Sequence, residues 1–205
     1  MIRINCSFSN FSGIQGSGTS KIETRNVSAF TKIDVGGAIN IEVSVQNDFS
    51  VEVRADDNLL ANIKTEVSGN TLKIYSEDRI SPKTRINVKI SMPALEGVDV
   101  SGASSGVVAN VKADSLELKA SGASKIKIDG EAQSLKADAS GASTIDAEGL
   151  KVADADIEAS GASKATVSAN NDLKVDASGA SKISYIGEPK NIKQNSSGAS
   201  SVTKK

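Results

Sequence analysis

The chain has 205 residues, room for one long domain or two short ones, and carries 24 Lys and Arg against 25 Asp and Glu. This balance lacks the basic footprint of a nucleic-acid-binding protein, and the absence of His excludes the usual nucleophile–histidine catalysis. Because Trp is absent and aromatic residues make up only 3% of the chain, the core must consist of small side chains in a regular arrangement.

Residues 1–25 are predicted to form a flexible leader, in which Ser12–Ser20 is rich in Gly and Ser. Cys6 is the only cysteine, so no internal disulfide can form. A lipoprotein would use this thiol as its lipid anchor, but Ile4-Asn5 is a poor match to the small residue expected there, and an incidental cysteine is an equal alternative. Met1–Asn5 is too short for the apolar part of a signal peptide, and no apolar run predicts a transmembrane helix.

Residues 26–94 carry short alternating segments that predict irregular β-structure capping the start of the repeats. Asp56–Ala61 predicts one short helix capped by an Asp or Asn, and Ser68-Gly69-Asn70 predicts a hairpin turn. No linker separates this part from residues 95–205, so a single domain is predicted over residues 26–205. The predicted strands are Phe30–Val35, Ile39–Val45, Phe49–Ala55, Ile63–Val67, Thr71–Tyr75 and Thr84–Met92.

From about Leu95 onward the tetrapeptide Ser-Gly-Ala-Ser (SGAS) recurs six times, at spacings of 20, 19, 20, 18 and 19 residues. Mostly small apolar residues stand three and one positions before each copy and five and seven positions after it, with polar residues between. Ile126, Ile145 and Ile183 belong to one such column. The alternation predicts strands with one buried face on both sides of the tetrapeptide. The copies begin at Ser101, Ser121, Ser140, Ser160, Ser178 and Ser197.

A unit of about 19 residues with two short strands cannot enclose a core alone and must stack on its neighbours. Residues 95–205 are therefore predicted to form an all-β, right-handed parallel β-helix of about six coils, one for each copy. In the last coil Gln194, Ser196 and Lys204 replace apolar residues, as expected of a cap that prevents edge-to-edge growth.

Each SGAS copy is predicted to be a corner of the coil, where Gly supplies a positive φ without a Cβ penalty. The Ala is expected to point inward, and the two Ser columns are expected to run as hydroxyl ladders along the outside. The variation in coil length is expected to fall in the second turn, within Asp129–Gln133, Gly149–Val152 and Ala169–Asp172.

Several motifs resemble those of one known family. They are Gly37-Ala38-Ile39-Asn40, Asn58-Leu59-Leu60, Gly69-Asn70-Thr71-Leu72 and Met92-Pro93-Ala94-Leu95 before the serial SGAS copies. Together they make the chain similar, from about Asn26 onward, to the auto-transporter adhesin, head-GIN-domain family of bacterial envelope proteins. The resemblance implies a β-helical fold and export to the cell envelope or surface, and it carries over no active-site residues.

No catalytic, metal or cofactor site is predicted. Six equivalent copies make each SGAS serine a turn residue rather than a nucleophile. A polysaccharide-active β-helix enzyme is the less favoured reading, because all five Arg precede the repeats. The only Tyr of the repeats, Tyr185, falls in an inward column, so an aromatic platform for sugars is missing.

Two outward columns are the candidate binding surfaces. Asp138, Glu158 and Asp176 would stack about 5 Å apart and repel unless a cation or a basic partner binds. Neutralisation by Lys136, Lys174 and Lys193 in the next column is the simpler account. The other column contains Lys125, Lys164 and Lys182, near Lys127; it would attract an anionic glycan or serve only solubility.

The favoured hypothesis is a non-enzymatic, secreted or envelope-attached module that presents a repetitive surface to a glycan, matrix or extracellular protein. A passive structural component of the envelope without a specific ligand is the alternative. Nucleic-acid partners are not expected, and the sequence leaves the oligomeric state open.

Overall fold

The computed structural model describes residues 13–205, most of them in strands. The segments of alternating polarity form these strands, with one side-chain row buried and the next solvated. Before the repeats the strands are β1 (Ile14–Gln15), β2 (Ser20–Arg25), β3 (Lys32–Val35), β4 (Asn40–Val45), β5 (Ser50–Asp56), β6 (Ile63–Ser68), β7 (Thr71–Ser76), β8 (Ile80–Ser81) and β9 (Asn87–Met92). In the repeats they are β10 (Gly97–Val100), β11 (Ser105–Ala120), β12 (Lys125–Ala139), β13 (Thr144–Ala159), β14 (Lys164–Ala177), β15 (Lys182–Ile186), β16 (Asn191–Ser196) and β17 (Ser201–Lys204).

The repeats form the predicted parallel β-solenoid. Each strand pairs in parallel with its equivalent in the next coil, so Ile126 lies beside Ile145, Ile145 beside Ala165 and Ala165 beside Ile183. The three isoleucines are fully buried. The solenoid has about five turns rather than the six predicted, because six corners enclose five complete turns and only the short strand β17 follows the last.

The variation in coil length falls in the second turn, as predicted. The register between neighbouring coils shifts between Val108 and Val111, between Lys127 and Asp129, and between Ala147 and Lys151. The strands on both sides of the SGAS corner keep a strict register, so their side chains remain in straight columns.

The first strands of the chain extend the solenoid rather than forming only an irregular cap. Strand β3 pairs in parallel with β10, and β4 pairs in parallel with β11. The segment between them, Gly36–Ile39, occupies the corner position, since the amide of Ala103 donates to the carbonyl of Gly37 at 2.7 Å. Strands β7 and β9 stack on β3 and β4 as a further layer.

Antiparallel strands cover this end of the molecule. The predicted hairpin is confirmed, with β6 paired to β7 across a turn in which Gly69 has a φ of 62°. Strand β5 pairs with β9, and β2 pairs with β5. The predicted flexible leader over residues 1–25 therefore needs correction for β1 and β2, which are paired strands. Residues 1–12, which include Cys6, lie outside the described residues.

The SGAS corner differs from its prediction in one respect. The Gly has a positive φ in every copy, as predicted. However, the Ala is exposed and the second Ser points inward, because the left-handed Gly turns the chain before the strand resumes. Only the first Ser column therefore remains at the surface. The buried second serines are Ser104, Ser124, Ser143, Ser163 and Ser181.

The interior is filled by aliphatic side chains along the whole solenoid. The last coil is the exception, because Gln194, Ser196 and Lys204 are exposed, as predicted for a terminal cap. Tyr185 is only partly buried against the core. Among the residues of β16, Ile192 is an apolar side chain that stays 47% exposed.

The predicted short helix is a 3₁₀ helix, Asp57–Asn62, and the expected Asp or Asn side-chain cap is absent from it. Asp56 instead turns its buried carboxylate toward other segments. It accepts hydrogen bonds from the backbone amides of Gly18 and Lys83, both at 2.8 Å, and of Thr84 at 3.1 Å. This carboxylate ties the start of β2 and the loop before β9 to the end of β5.

Candidate binding surface

The acidic column (Asp138, Glu158 and Asp176) is formed as predicted. These residues lie directly beside one another on β12, β13 and β14 because the strands leading into the SGAS corner are in register. Lys119 precedes them in the same column and Asn195 follows them. The column borders a shallow open groove of about 470 Å³ whose other wall is the first serines of four corners.

Neighbouring side chains neutralise part of the acidic column. Lys174 contacts Asp156 at 3.1 Å and Asp176 at 3.4 Å, and the carboxylate of Asp156 raises the pKa of Lys174. Asn195 donates a hydrogen bond to Asp176 at 2.7 Å. This hydrogen bond lowers the pKa of Asp176 most, and Lys174 lowers it further. Of the three lysines predicted to neutralise the column, only Lys174 forms an ion pair within residues 13–205.

Toward the N-terminal end the same face is a network of paired charges. Glu117 binds Lys119 at 2.8 Å and Lys32 at 3.4 Å, so the pKa of Glu117 is lowered, first by Lys119. Asp99 has a raised pKa because it is partly buried and because Asp34 lies beside it in the column. This end of the face thus combines the ion pairs of Glu117 with one pair of neighbouring aspartates.

The lysine column (Lys125, Lys164 and Lys182) lies on the strands that leave the corner. Thr144 separates Lys125 from Lys164, whereas Lys164 and Lys182 are direct neighbours on β14 and β15. All three lysines are exposed. Within residues 13–205 none of them forms an ion pair or a side-chain hydrogen bond, and the same holds for Lys127 in the adjacent column.

The two candidate columns are not brought together. The acidic column precedes the SGAS corner and the lysine column follows it, so they belong to two different faces of the solenoid. A third face, after the second turn, carries Lys112, Glu131 and Lys151 in register, with alternating sign. Each face is straight and presents one outward side chain per coil in each column.

The described residues hold neither a metal-binding cluster nor a membrane-spanning helix. No group of three or more His, Cys, Asp or Glu side chains in that part of the chain is arranged to hold an ion. No helix between residues 13 and 205 is long and apolar enough to cross a bilayer.

The exposed aromatic Tyr75 lies on β7, outside the repeats, where its hydroxyl donates to Glu66 at 3.3 Å.

The sequence did not reveal the inward column of second serines. The hydroxyls of Ser143, Ser163 and Ser181 donate to backbone carbonyls of the preceding corner at 2.9–3.1 Å, and that of Ser104 accepts from the amide of Ile39 at 3.2 Å. The serine itself is the sequence feature that could have indicated this column, because a small hydroxyl can bond to the backbone within a tight turn. Both serines of each copy fit that description equally well.

The comparisons with known proteins agree with this architecture. A family model described as "Putative auto-transporter adhesin, head GIN domain" matches residues 29–189. No curated protein sequence matches the chain.

Three solved structures share the fold. A putative adhesin from Bacteroides fragilis is 20% identical with a TM-score of 0.77, and the match covers 94% of this chain and 100% of that one. A putative adhesin from Parabacteroides merdae is 17% identical with a TM-score of 0.62, covering 94% and 98%. A putative lipid binding protein from Parabacteroides distasonis is 21% identical with a TM-score of 0.56, covering 94% and 99%. At these identities the likeness concerns the fold alone.

Proposed function

Because this chain belongs to the auto-transporter adhesin, head GIN domain family, whose model covers residues 29–189, we propose that it is a non-enzymatic adhesion module of the cell envelope or cell surface. One observation carries the proposal. The strands on both sides of the SGAS corner stack in register, so that outward side chains form straight columns on flat, exposed faces. A binding partner with a repeating structure would contact several coils in the same way.

The carbohydrate-active alternative finds less support. The groove along the acidic column is shallow, and Asp176 in that column is already bound by Lys174 and Asn195. A glycosidase needs two carboxyl groups in different environments, one of them with a raised pKa. In the acidic column the resolved change is the lowered pKa of Asp176. This is the wrong direction for a general acid. Asp99 on the same face does have a raised pKa, but Lys119 separates it from the acidic column.

The adhesion proposal is tested by immobilising the full chain and measuring its attachment to arrays of polysaccharides, extracellular matrix proteins and neutral control surfaces. We expect saturable binding to at least one class of surface. Two variants locate the binding face. One carries Asp138→Asn, Glu158→Gln and Asp176→Asn, and the other carries Lys125→Thr, Lys164→Thr and Lys182→Thr.

Each other outcome has a definite meaning. Absence of binding to every surface would support the passive structural component instead. Release of oligosaccharide from a polysaccharide would support an enzyme. Location is tested separately, by exposing intact cells to a protease that cannot enter them. We expect the protein to be cleaved, and protection in intact cells but not in lysates would contradict a surface location.

A further inference from the structure

The face that follows the SGAS corner carries lysines that form no ion pair within residues 13–205. We define this lysine face as the first two outward residues after each of five consecutive corners. It contains four lysines and one aspartate, a net charge of +3, and five hydroxyl side chains. Its members are Lys125, Lys127, Thr144, Asp146, Lys164, Thr166, Lys182, Ser184, Ser201 and Thr203.

On the other two faces, lysines have carboxylates among their direct neighbours. Before the corner, Lys174 bridges Asp156 and Asp176, and Glu117 binds Lys119. After the second turn, lysines alternate with Glu131. On the lysine face, Lys164 and Lys182 are adjacent across paired strands, about 4.8 Å apart along the axis. Like charges directly opposite each other destabilise a sheet, so a bound anion would stabilise this arrangement.

Protection against aggregation does not account for these lysines. Lysines that prevent edge-to-edge pairing belong on the unpaired edge of a sheet. Strands β12 and β14 are interior strands, each paired on both sides. Lys125 and Lys164 therefore lie where the backbone offers no free edge to protect. Solubility alone would be served equally well by the mixed charges seen on the other faces.

We propose that the lysine face binds a linear polysaccharide bearing carboxylate or sulfate groups, laid along the solenoid axis; this inference rests on the proposed adhesion function and specifies its ligand. Lys125 and Lys164 are two coils apart, with Thr144 between them. An extended chain with a negative group on alternate sugars would meet Lys125, then Thr144 and then Lys164, with Lys182 directly after Lys164. Thr144, Thr166 and Ser184 provide hydroxyls beside the lysines for the sugar hydroxyls.

The composition of this face favours a polysaccharide over other polyanions. The repeats contain no Arg, Trp or Phe. Nucleic-acid sites combine basic side chains with aromatic residues on which bases stack, and planar phosphate recognition favours Arg. An anionic membrane surface would favour apolar side chains that insert among the lipids. The outward residues of β12–β15 on this face are lysines, hydroxyl residues and one aspartate.

The test measures binding of the full chain to dextran sulfate, to alginate and to neutral dextran, at low and at physiological ionic strength. The test variant is Lys125→Thr/Lys164→Thr/Lys182→Thr, which uses the residue already present at Thr144 in the same column. The matched control, Lys112→Thr/Lys151→Thr/Lys190→Thr, removes the same charge from other exposed positions. Equal unfolding midpoints in urea establish that both variants are folded.

We expect the unmodified chain to bind a sulfated or a carboxylated polymer but not neutral dextran, more tightly at low ionic strength. Because each exposed charge contact contributes modestly, losing three should weaken binding about tenfold. The control variant should stay within about twofold of the unmodified chain. Comparison of dextran sulfate with alginate shows whether the face prefers sulfate or carboxylate groups.

Several results would overturn the inference. Equal losses in both variants would mean that net charge, not this face, governs binding. Loss of self-association in sedimentation velocity, without a polysaccharide effect, would make a second copy of the chain the partner. Stronger binding to anionic lipid vesicles than to either polymer would indicate a membrane. Failure to bind either polymer, while attachment to another array surface persists, would refute the inference and leave the adhesion proposal intact.

Discussion

The hydroxyl of Ser163 donates a hydrogen bond of 2.9 Å to the carbonyl oxygen of Ala139, which lies just before the preceding SGAS corner. The same carbonyl accepts from the amide of Ser160 at 2.9 Å. This one carbonyl thus joins two successive coils by a backbone bond and a side-chain bond. Ser163 is fully buried, so water cannot replace the side-chain bond if it is lost.

Ser163→Ala should therefore destabilise the protein by about 0.5–1.5 kcal/mol, the usual net contribution of such a bond. The measurement is the urea unfolding midpoint of the full chain. Ser160→Ala is the matched control, since Ser160 is half-buried in the same corner. A larger effect of Ser160→Ala than of Ser163→Ala would mean that the outer serine column, not the inner one, joins the coils.

Ser124 occupies the same inward position as Ser163, but its buried hydroxyl has no hydrogen-bond partner within the described part of the chain. A buried polar group without a partner is unfavourable. Ser124→Ala should therefore be neutral or stabilising, by up to about 1 kcal/mol. The same unfolding assay decides the matter, and a loss of stability equal to that of Ser163→Ala would contradict this reading of the corner.

Gly161→Ala should strongly destabilise the solenoid. Gly161 has a φ of 71°, and a Cβ atom there would lie 2.7 Å from the carbonyl oxygen of Gly141 in the preceding coil. Conformational strain of about 1–2 kcal/mol is therefore added to a backbone clash.

Gly69→Ala separates the two effects. Gly69 also has a positive φ, of 62°, but a Cβ atom there would have nothing within 4 Å. This variant should show only the conformational strain, about 1 kcal/mol. If both glycine variants had equal midpoints, close stacking of the corners would not be what requires Gly161.

Asp56 should make stability depend on pH in the acid range. Burial alone would raise the pKa of Asp56, but hydrogen bonds from the amides of Thr84, Lys83 and Gly18 lower it below the ordinary value of 3.8. A lowered pKa in the folded state gives stability that is present above the unfolded-state value and is lost as pH falls through the folded-state value.

Asp56→Asn should therefore be less stable than the unmodified chain at neutral pH, and the difference should narrow below about pH 4. Urea midpoints at a series of pH values measure this difference. Asp48→Asn is the control, because Asp48 is exposed, and its difference should stay small throughout. A constant difference for Asp56→Asn down to the most acid pH would contradict the role of the carboxylate charge.

The repeats were predictable because strand alternation and coil stacking are both periodic. Ile126 and Ile145 stand at equal distances from their SGAS copies, and stacking then requires them to share one interior column. The corner was less predictable, because a positive φ at Gly interrupts the alternation of inward and outward side chains. The sequence then does not decide whether the Ala or the second Ser points into the core. The direction of the corner depends on three-dimensional geometry that spacing does not encode.

Other features depend on contacts between distant parts of the chain. Gly36–Ile39 acts as a corner without the SGAS letters, and only its pairing with Ala103 identifies it. The amides bound by Asp56 come from Gly18, Lys83 and Thr84, which the sequence places far from it. That Lys164 and Lys182 have no ion-pair partner among the described residues likewise emerges only when the neighbouring coils are known.

The direct pairing of Ala139 with Ala159 makes each coil an interchangeable module. Removing residues 140–159 would join Ala139 to Ser160, and the new junction would have the same local sequence as the old one. The shortened molecule would lose about 4.8 Å of height while keeping the same cross-section. Gain or loss of such modules would therefore adjust how far the protein reaches, without redesign of its core.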